Sequence, residues 1–382
     1  MKSVYLDSAA TTQVREEVIN DIKDVLLNNY GNPSSTHAFG RSSKTIIETA
    51  RKAIAKTLNA LPQEIIFTSG GTEADNMILR CAVRDGGVKT IITSAIEHHA
   101  VLHTVEELEK EYGITVKYVK LQACGTPDYD DLEHLLADNS EKTLVSLMHV
   151  NNEIGNILDI EKVAKMCKDN EALFHSDTVQ SIGHFEWDVQ QVPIDFMTAA
   201  AHKFHGPKGI GFAYIRKDSN LKPLIFGGSQ ERGYRAGTEA VHNIKGLETA
   251  FKLAYENLEE ERAYVQELKD YFTSQLEAAI PEVKFNGNCH NKVKSTYTLI
   301  NACLPMSPEK ALTLPFQLDL KGIACSKGSA CQSGSGKGSH VLDQILSEED
   351  KQKPSIRFSF SKFNTKDEID YVVNVLKEFV EN

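Results

Sequence analysis

Short apolar runs at 64–68, 90–95, 115–119, 143–149, 172–176, 194–200 and 210–215 mostly alternate with stretches whose apolar residues recur at helical spacing, at 41–58, 73–84, 100–112, 129–138 and 160–169. Such alternation predicts an α/β fold, a mostly parallel sheet covered by helices on both faces, with a ligand site beyond the carboxyl ends of the strands. From 244 to 280 apolar residues return at Leu247, Phe251, Ala254, Leu258, Val265, Leu268, Phe272 and Leu276, which predicts a long helix or a helix pair leading into a smaller unit. That α+β unit has strand signals at 296–301 and 355–360 and a closing amphipathic helix at 366–380. We expect residues 15–255 to form the large domain, and 1–14 with 256–382 the small one.

Composition narrows the function class. The 382 residues suffice for one large domain and a smaller one. With 53 acidic against 42 basic residues the net charge is −11, and no lysine-arginine cluster offers a nucleic-acid footprint. The chain starts Met-Lys-Ser-Val-Tyr-Leu-Asp without an apolar signal stretch, and no apolar run is long enough to span a bilayer, so the expectation is a cytoplasmic enzyme acting on small molecules, engaging neither membrane nor nucleic acid directly. Seven cysteines lie scattered without a CxxC or a His-Cys ligand spacing, so neither disulfides nor a structural zinc is expected. Cys81 and Cys167 sit on helical patterns as small core residues, and Cys325 follows an apolar run. Cys331 differs. The segment 325–340 holds four glycines, five serines and no apolar periodicity, a composition too poor in apolar surface to fix itself. A cysteine midway along it, with lysines at 327 and 337, is exposed, helped toward thiolate and able to travel.

Four stretches carry candidate chemistry. Lys203 stands directly behind the apolar run 194–201. Burying a lysine favours its uncharged amine, the nucleophile that Schiff-base chemistry with pyridoxal 5′-phosphate (PLP) requires. Asp177 ends another apolar run, where a carboxylate could keep a pyridine nitrogen protonated, although an aspartate after a strand is also a common helix cap. Ser69-Gly70-Gly71-Thr72-Glu73-Ala74-Asp75-Asn76 places a glycine pair between a strand pattern and a helical one, which makes an anion site from backbone N–H groups and the helix dipole. His98 follows the run 90–95 and offers a flat ring for stacking.

Together with Tyr5-Leu6-Asp7-Ser8-Ala9-Ala10-Thr11-Thr12, Gly31-Asn32-Pro33-Ser34-Ser35, His149-Val150-Asn151-Asn152-Glu153-Ile154-Gly155, Glu231-Arg232-Gly233, Arg235-Ala236-Gly237-Thr238, Gly328-Ser329-Ala330-Cys331 and Ser355-Ile356-Arg357-Phe358-Ser359, these stretches resemble the cysteine desulfurases of the class V aminotransferase group, NifS/IscS-like, in family order from residue 4 to 362. The resemblance implies the aspartate aminotransferase-like fold of PLP-dependent transferases, a homodimer, L-cysteine as substrate and a sulfur-acceptor protein such as an iron–sulfur scaffold as partner. It implies that Lys203 carries PLP covalently, Asp177 holds the ring-nitrogen proton, Gln180 faces the phenolic oxygen and His98 stacks on the ring and serves in catalysis. Gly71, Thr72 and His202 would bind the phosphate with Thr238 of a second subunit, and Asn152 would lie beside ring and substrate. Arg357 would hold the substrate carboxylate through a bidentate fork, assisted by Asn32. By the chain's own pattern Arg357 is equally an exposed strand arginine, with Ile356, Phe358 and Phe360 taking the core face. Cys331 would accept sulfur as a persulfide, through which it could also ligate an iron–sulfur cluster transiently. Ala200, in the cofactor-binding stretch, stands where the family usually has serine, removing a phosphate contact worth roughly 0.5–1.5 kcal/mol. Selenocysteine lyase, kynureninase and simple aminotransferases share the lysine without needing a cysteine in a glycine-serine loop. Outside catalysis, the alternative is a sulfur-transfer docking platform with slow turnover.

Overall fold

The computed structural model describes residues 3–138, 140–327 and 338–381. In chain order its elements begin with β1 (Val4–Tyr5), α1 (Glu16–Asn28), α2 (Ala38–Thr57), β2 (Ile65–Thr68), α3 (Gly71–Arg84), β3 (Thr90–Thr93), α4 (His99–Tyr112) and β4 (Thr115–Tyr118). There follow α5 (Tyr129–Ala137), β5 (Thr143–Ser146), α6 (Ile160–Asp169), β6 (Leu173–Asp177), β7 (Phe196–Ala200), β8 (Gly211–Ile215), α7 (Val241–Glu256) and α8 (Leu258–Ala279). The chain ends with β9 (Lys284–Phe285), β10 (Leu299–Cys303), α9 (Pro308–Leu320), β11 (Ile323–Ala324), α10 (His340–Ile345), β12 (Ser355–Ser359) and α11 (Lys366–Glu381).

The large sheet runs in the order β2-β8-β7-β6-β5-β3-β4. Only β8 opposes the rest: it is antiparallel to both β7 and β2. The reason is local, because ten residues join β7 to β8, too few for a crossover helix, and only an antiparallel return is possible. Both faces are covered, as a near-continuous apolar pattern demands. Along β2, Ile65 and Phe67 join a core with α1, α2 and α7, while Ile66 points to the other core with α3 and α4. The same alternation separates Phe212 and Tyr214 from Ala213 and Ile215 on β8.

A separate apolar cluster unites Val4 and Leu6 with α8, α9, α11, β10 and β12. Its three-stranded sheet has the order β12-β10-β9, and β1 pairs in parallel with β11. The first residues of the chain thus pack with its last third.

Most expected elements are present within a few residues, and the 244–280 pattern is a helix pair, α7 and α8. The strand expected at 296–301 is shifted to Leu299–Cys303. Helices α1, α9 and α10 were not anticipated; Pro315 inside α9 disguises that one. The expected two-faced character of the 355–360 strand also needs correcting. All five residues of β12 are buried, because its polar face lies against the large sheet's loops: Arg357 donates to Asn152 O at 2.7 Å, and Asn301 beside it donates to Glu153 O at 3.1 Å.

Candidate active site

The carboxyl ends of β2, β3, β5, β6 and β7 open into one cavity of about 200 Å³. Gly71, Thr72, His98, Asn152, Asp177, Gln180, Ala200, His202, Lys203 and Arg357 line it, so ten residues expected at a single site come together there. Each follows or ends a strand, except Arg357, which β12 brings in from the small unit.

Lys203 closes a one-turn 3₁₀ helix, Ala201–Lys203, at the end of β7. Its Nζ donates to Ala9 O at 2.6 Å and Ala10 O at 2.9 Å, and the Gln180 amide donates to Ala9 O at 2.9 Å. The Tyr5–Thr12 stretch therefore acts as a backbone strap over the lysine, fastened by Thr12, whose N–H and hydroxyl both donate to His202 O.

Asp177 is 5% exposed, with Oδ1 accepting from Val179 N at 2.9 Å. Burial pushes its carboxyl up to about 6, and the neighbouring Asp75 adds to the rise. Such a carboxylate is well matched to a cationic partner in the cavity. His98 caps α4, its Nδ1 accepting from Ala100 N at 3.1 Å, which leaves the ring proton on Nε2. Burial lowers its pKa, opposed by Asp177, so the ring stays neutral at neutral pH.

At the other end of the cavity α3 begins at Gly71. A Cβ there would stand 2.6 Å from Val179 Cγ2, so only glycine lets the helix start approach this closely. The His202 ring lies beside it, brought to about 4 by burial and by Lys203 and Lys208, and its buried Nδ1 has no hydrogen-bond partner among the described residues. A helix N-terminus, the Thr72 hydroxyl and an unpaired buried imidazole nitrogen fit a phosphate group, and Lys203, Asp177 and His98 fit the aldehyde, ring nitrogen and ring face of PLP.

Arg357 is 1% exposed, which removes the reading as an exposed strand arginine. Its guanidinium donates to Asp7 Oδ1 at 3.0 Å and to Asn152 O, while Nε has no partner among the described residues. Asp7, itself bound by Ser326 Oγ at 2.7 Å, was not singled out from the sequence. Nor was the purpose of Glu231: it accepts two guanidinium bonds from buried Arg51, each 2.8 Å, and one from Phe67 N, which fixes the Glu231-Arg232-Gly233 turn to β2.

Asn32 and Thr238 do not line the cavity. Both line a separate surface groove of about 260 Å³, with Leu26 and Tyr30. Cys331 lies outside the described residues. Cys325 is half-buried, its thiol pushed to about 12 by desolvation and then by Asp7, in keeping with a structural residue. Among the described residues no cluster suited to a metal ion occurs, and no helix is long and apolar enough to cross a membrane.

A family model described as aminotransferase class-V matches residues 4–372. The chain is 42% identical over its full length to 95% of a cysteine desulfurase IscS from Dictyoglomus turgidum. A solved NifS-like protein superposes with a TM-score of 0.90 at 35% identity, with both chains fully covered. A structure of SspA in complex with cysteine superposes with a TM-score of 0.81 at 31% identity, over 95% of this chain and 100% of the other.

Proposed function

Because the chain belongs to the class-V aminotransferase family, we propose that it is a PLP-dependent cysteine desulfurase, converting L-cysteine to L-alanine with transfer of the sulfur to Cys331. The observation that carries the reading is the meeting of Lys203, Asp177, His98 and the α3 N-terminus in one cavity, joined from the small unit by Arg357.

Bound in this cavity, PLP supplies a protonated ring that takes up the electron pair released at the α-carbon of cysteine. The protein's residues do the rest. Asp177 holds the ring-nitrogen proton in place, Gln180 offers an amide to the phenolic oxygen, and the neutral His98 ring provides a stacking face and an Nε2 proton. Gly71, Thr72 and His202 hold the phosphate, and buried Ala200 leaves the contact there to the backbone and water. Lys203 Nζ would serve as the base for the α-proton, and the Ala9 and Ala10 carbonyls hold it at the cavity wall. Arg357 offers Nε to the substrate carboxylate, with Asn152 positioned by the guanidinium itself. The Cys331 thiolate forms a sulfur–sulfur bond as the carbon–sulfur bond of cysteine breaks, the bonding pair passes to the β-carbon, which takes up a proton, and alanine leaves. Cys331 persulfide then passes its terminal sulfur to an acceptor protein or holds it for iron–sulfur assembly.

We take Thr238 and Asn32 to act in a homodimer, each reaching a neighbouring copy's cavity, a reading supported by their exclusion from their own. We take residues 15–255 as the cofactor-binding domain and 1–14 with 256–382 as the domain that carries Cys331, supported by the separate apolar cluster that joins Val4 and Leu6 to the last third. A cytoplasmic setting is supported by free thiols at all six described cysteines.

The deciding experiment is an assay of alanine and sulfide from cysteine, with spectral titration, on wild type and Cys331→Ser. The variant is expected to bind PLP and cysteine as the wild type does and to release no sulfide. Sulfide release at the wild-type rate would overturn the carrier role, and a protein that takes up no PLP would overturn the whole reading.

A further inference from the structure

Beside Asp177, running from Asp75 at the cavity wall into the sheet, lies a row of buried polar groups to which the reaction assigns no task. Asp75 on α3 is 1% exposed, His175 on β6 and Thr198 on β7 are 0% exposed, and Ser146 ends β5, also at 0%. The Thr198 hydroxyl is 3.5 Å from Asp177 Oδ1 and also stands beside the Asp75 carboxyl, whose ionised form it favours. A hydroxyl has one proton, so it cannot donate to two ionised carboxylates at once. On the far side Asp75 Oδ1 and His175 Nε2 face each other at 3.4 Å, and both lack a hydrogen-bond partner among the described residues. His175 Nδ1 is 2.9 Å from Ser146 Oγ.

One arrangement satisfies every atom. Ser146 donates to His175 Nδ1, His175 Nε2–H donates to Asp75, Asp75 as a neutral acid donates to Thr198, and Thr198 donates to ionised Asp177. We propose that Asp75 is the proton-carrying member of a buried acid pair and a positioning residue for the cofactor, passing its hydrogen bond through Thr198 to the Asp177 carboxylate. The proposal rests on the reading that Asp177 faces the ring nitrogen of PLP.

The other charged groups facing this row permit it. Glu97, following β3, is buried and raised well above the ordinary carboxylate range by burial, which disfavours a further negative charge beside the row. His98 at the start of α4 and Lys203 beyond β7 stand on the cavity side of Asp177, and His175 is brought to about 4 by burial, so it is neutral. Burial pushes Asp75 to about 7, which puts the loss of its proton at the edge of the working range. Above that pH a second negative charge appears beside Asp177 and the bond through Thr198 is lost.

The test is a pH titration of the visible spectrum of bound PLP, with PLP dissociation constants measured at about pH 6 and pH 9, on the wild-type holoenzyme, Asp75→Asn and Thr198→Val. An asparagine amide imitates the neutral acid at every pH. Asp75→Asn is therefore expected to match the wild-type spectrum, and its PLP affinity within about threefold, at the lower pH, and to lack the spectral component that titrates near neutrality. If that component persists in Asp75→Asn, or if PLP affinity at the lower pH falls by more than about tenfold, Asp75 is not a neutral acid at rest and the proposal fails. Thr198→Val leaves α3 untouched and is expected to move the midpoint of the component; an unmoved midpoint overturns the link even where Asp75→Asn fails to fold. Failure of the underlying function reading shows differently, as a wild type that binds no PLP at all.

Discussion

The floor of the cavity and the Asn32–Thr238 groove are built in opposite ways. The floor is carried by strand ends whose polar groups are buried and, for the most part, partnered within the chain: Asp177 by Val179, Gln180 and Lys203 by Ala9. The groove is open, and around it Leu26, Leu27, Tyr30 and Phe39 are exposed at 56, 64, 72 and 54%. Tyr30 and Phe39 stack on each other with ring centroids 5.5 Å apart. A floor that must shift the pKa of its acids needs desolvation and a fixed geometry, and a single folded chain supplies both. The groove, with large apolar side chains facing water beside two residues that the sequence assigns to the site, has the composition of a surface that another copy covers.

Four changes test this contrast. Lys203→Ala removes the base from the floor, and sulfide release is expected to fall by about 10²-fold or more while the groove and the oligomeric state stay as they were. Sedimentation and a sulfide assay on the same preparation measure both. In the groove, Leu27→Asp combined with Tyr30→Asp is expected to shift the protein to a monomer and weaken PLP binding by roughly tenfold, the loss of one charge-assisted contact. A monomer that keeps full PLP affinity would show that Thr238 serves no second cavity.

Asp177→Asn probes the cost of the floor. The folded-state pKa of Asp177, about 6, lies above its ordinary value of 3.8, so the folded apoprotein binds the extra proton between those values. Its stability contribution is fully present below about 3.8 and is lost as the pH rises through about 6. The asparagine apoprotein escapes that loss and is expected to resist urea better at neutral pH by about 3 kcal/mol, while binding PLP more weakly. Equal stability of both apoproteins across this range would mean that Asp177 is not held in a desolvated site. Gly71→Ala sets a methyl group against Val179 and is expected to cost about 1–2 kcal/mol in PLP binding, with Val179→Ala recovering part of it; equilibrium dialysis of the single and double variants gives the answer.

The sequence by itself determined the alternation of strands and helices, and with it the address of the site. Gly71, His98, Asn152, Asp177 and Lys203 all follow apolar runs, and in a mostly parallel sheet that order alone gathers them at one edge, because each strand end is fixed by its own neighbours in the chain. Only the tertiary structure decided the rest. Arg357 looked like an alternating strand residue until Asp7, 350 positions earlier, proved to be its partner. The Tyr5–Thr12 stretch became a strap over Lys203, and Thr198 of β7 came within 3.5 Å of Asp177 of β6. Asn32 and Thr238 lie 206 positions apart, yet share a groove outside the cavity. Local periodicity reports which face of an element is buried, whereas a hydrogen bond between distant segments depends on how whole elements pack, which no pattern within one element contains.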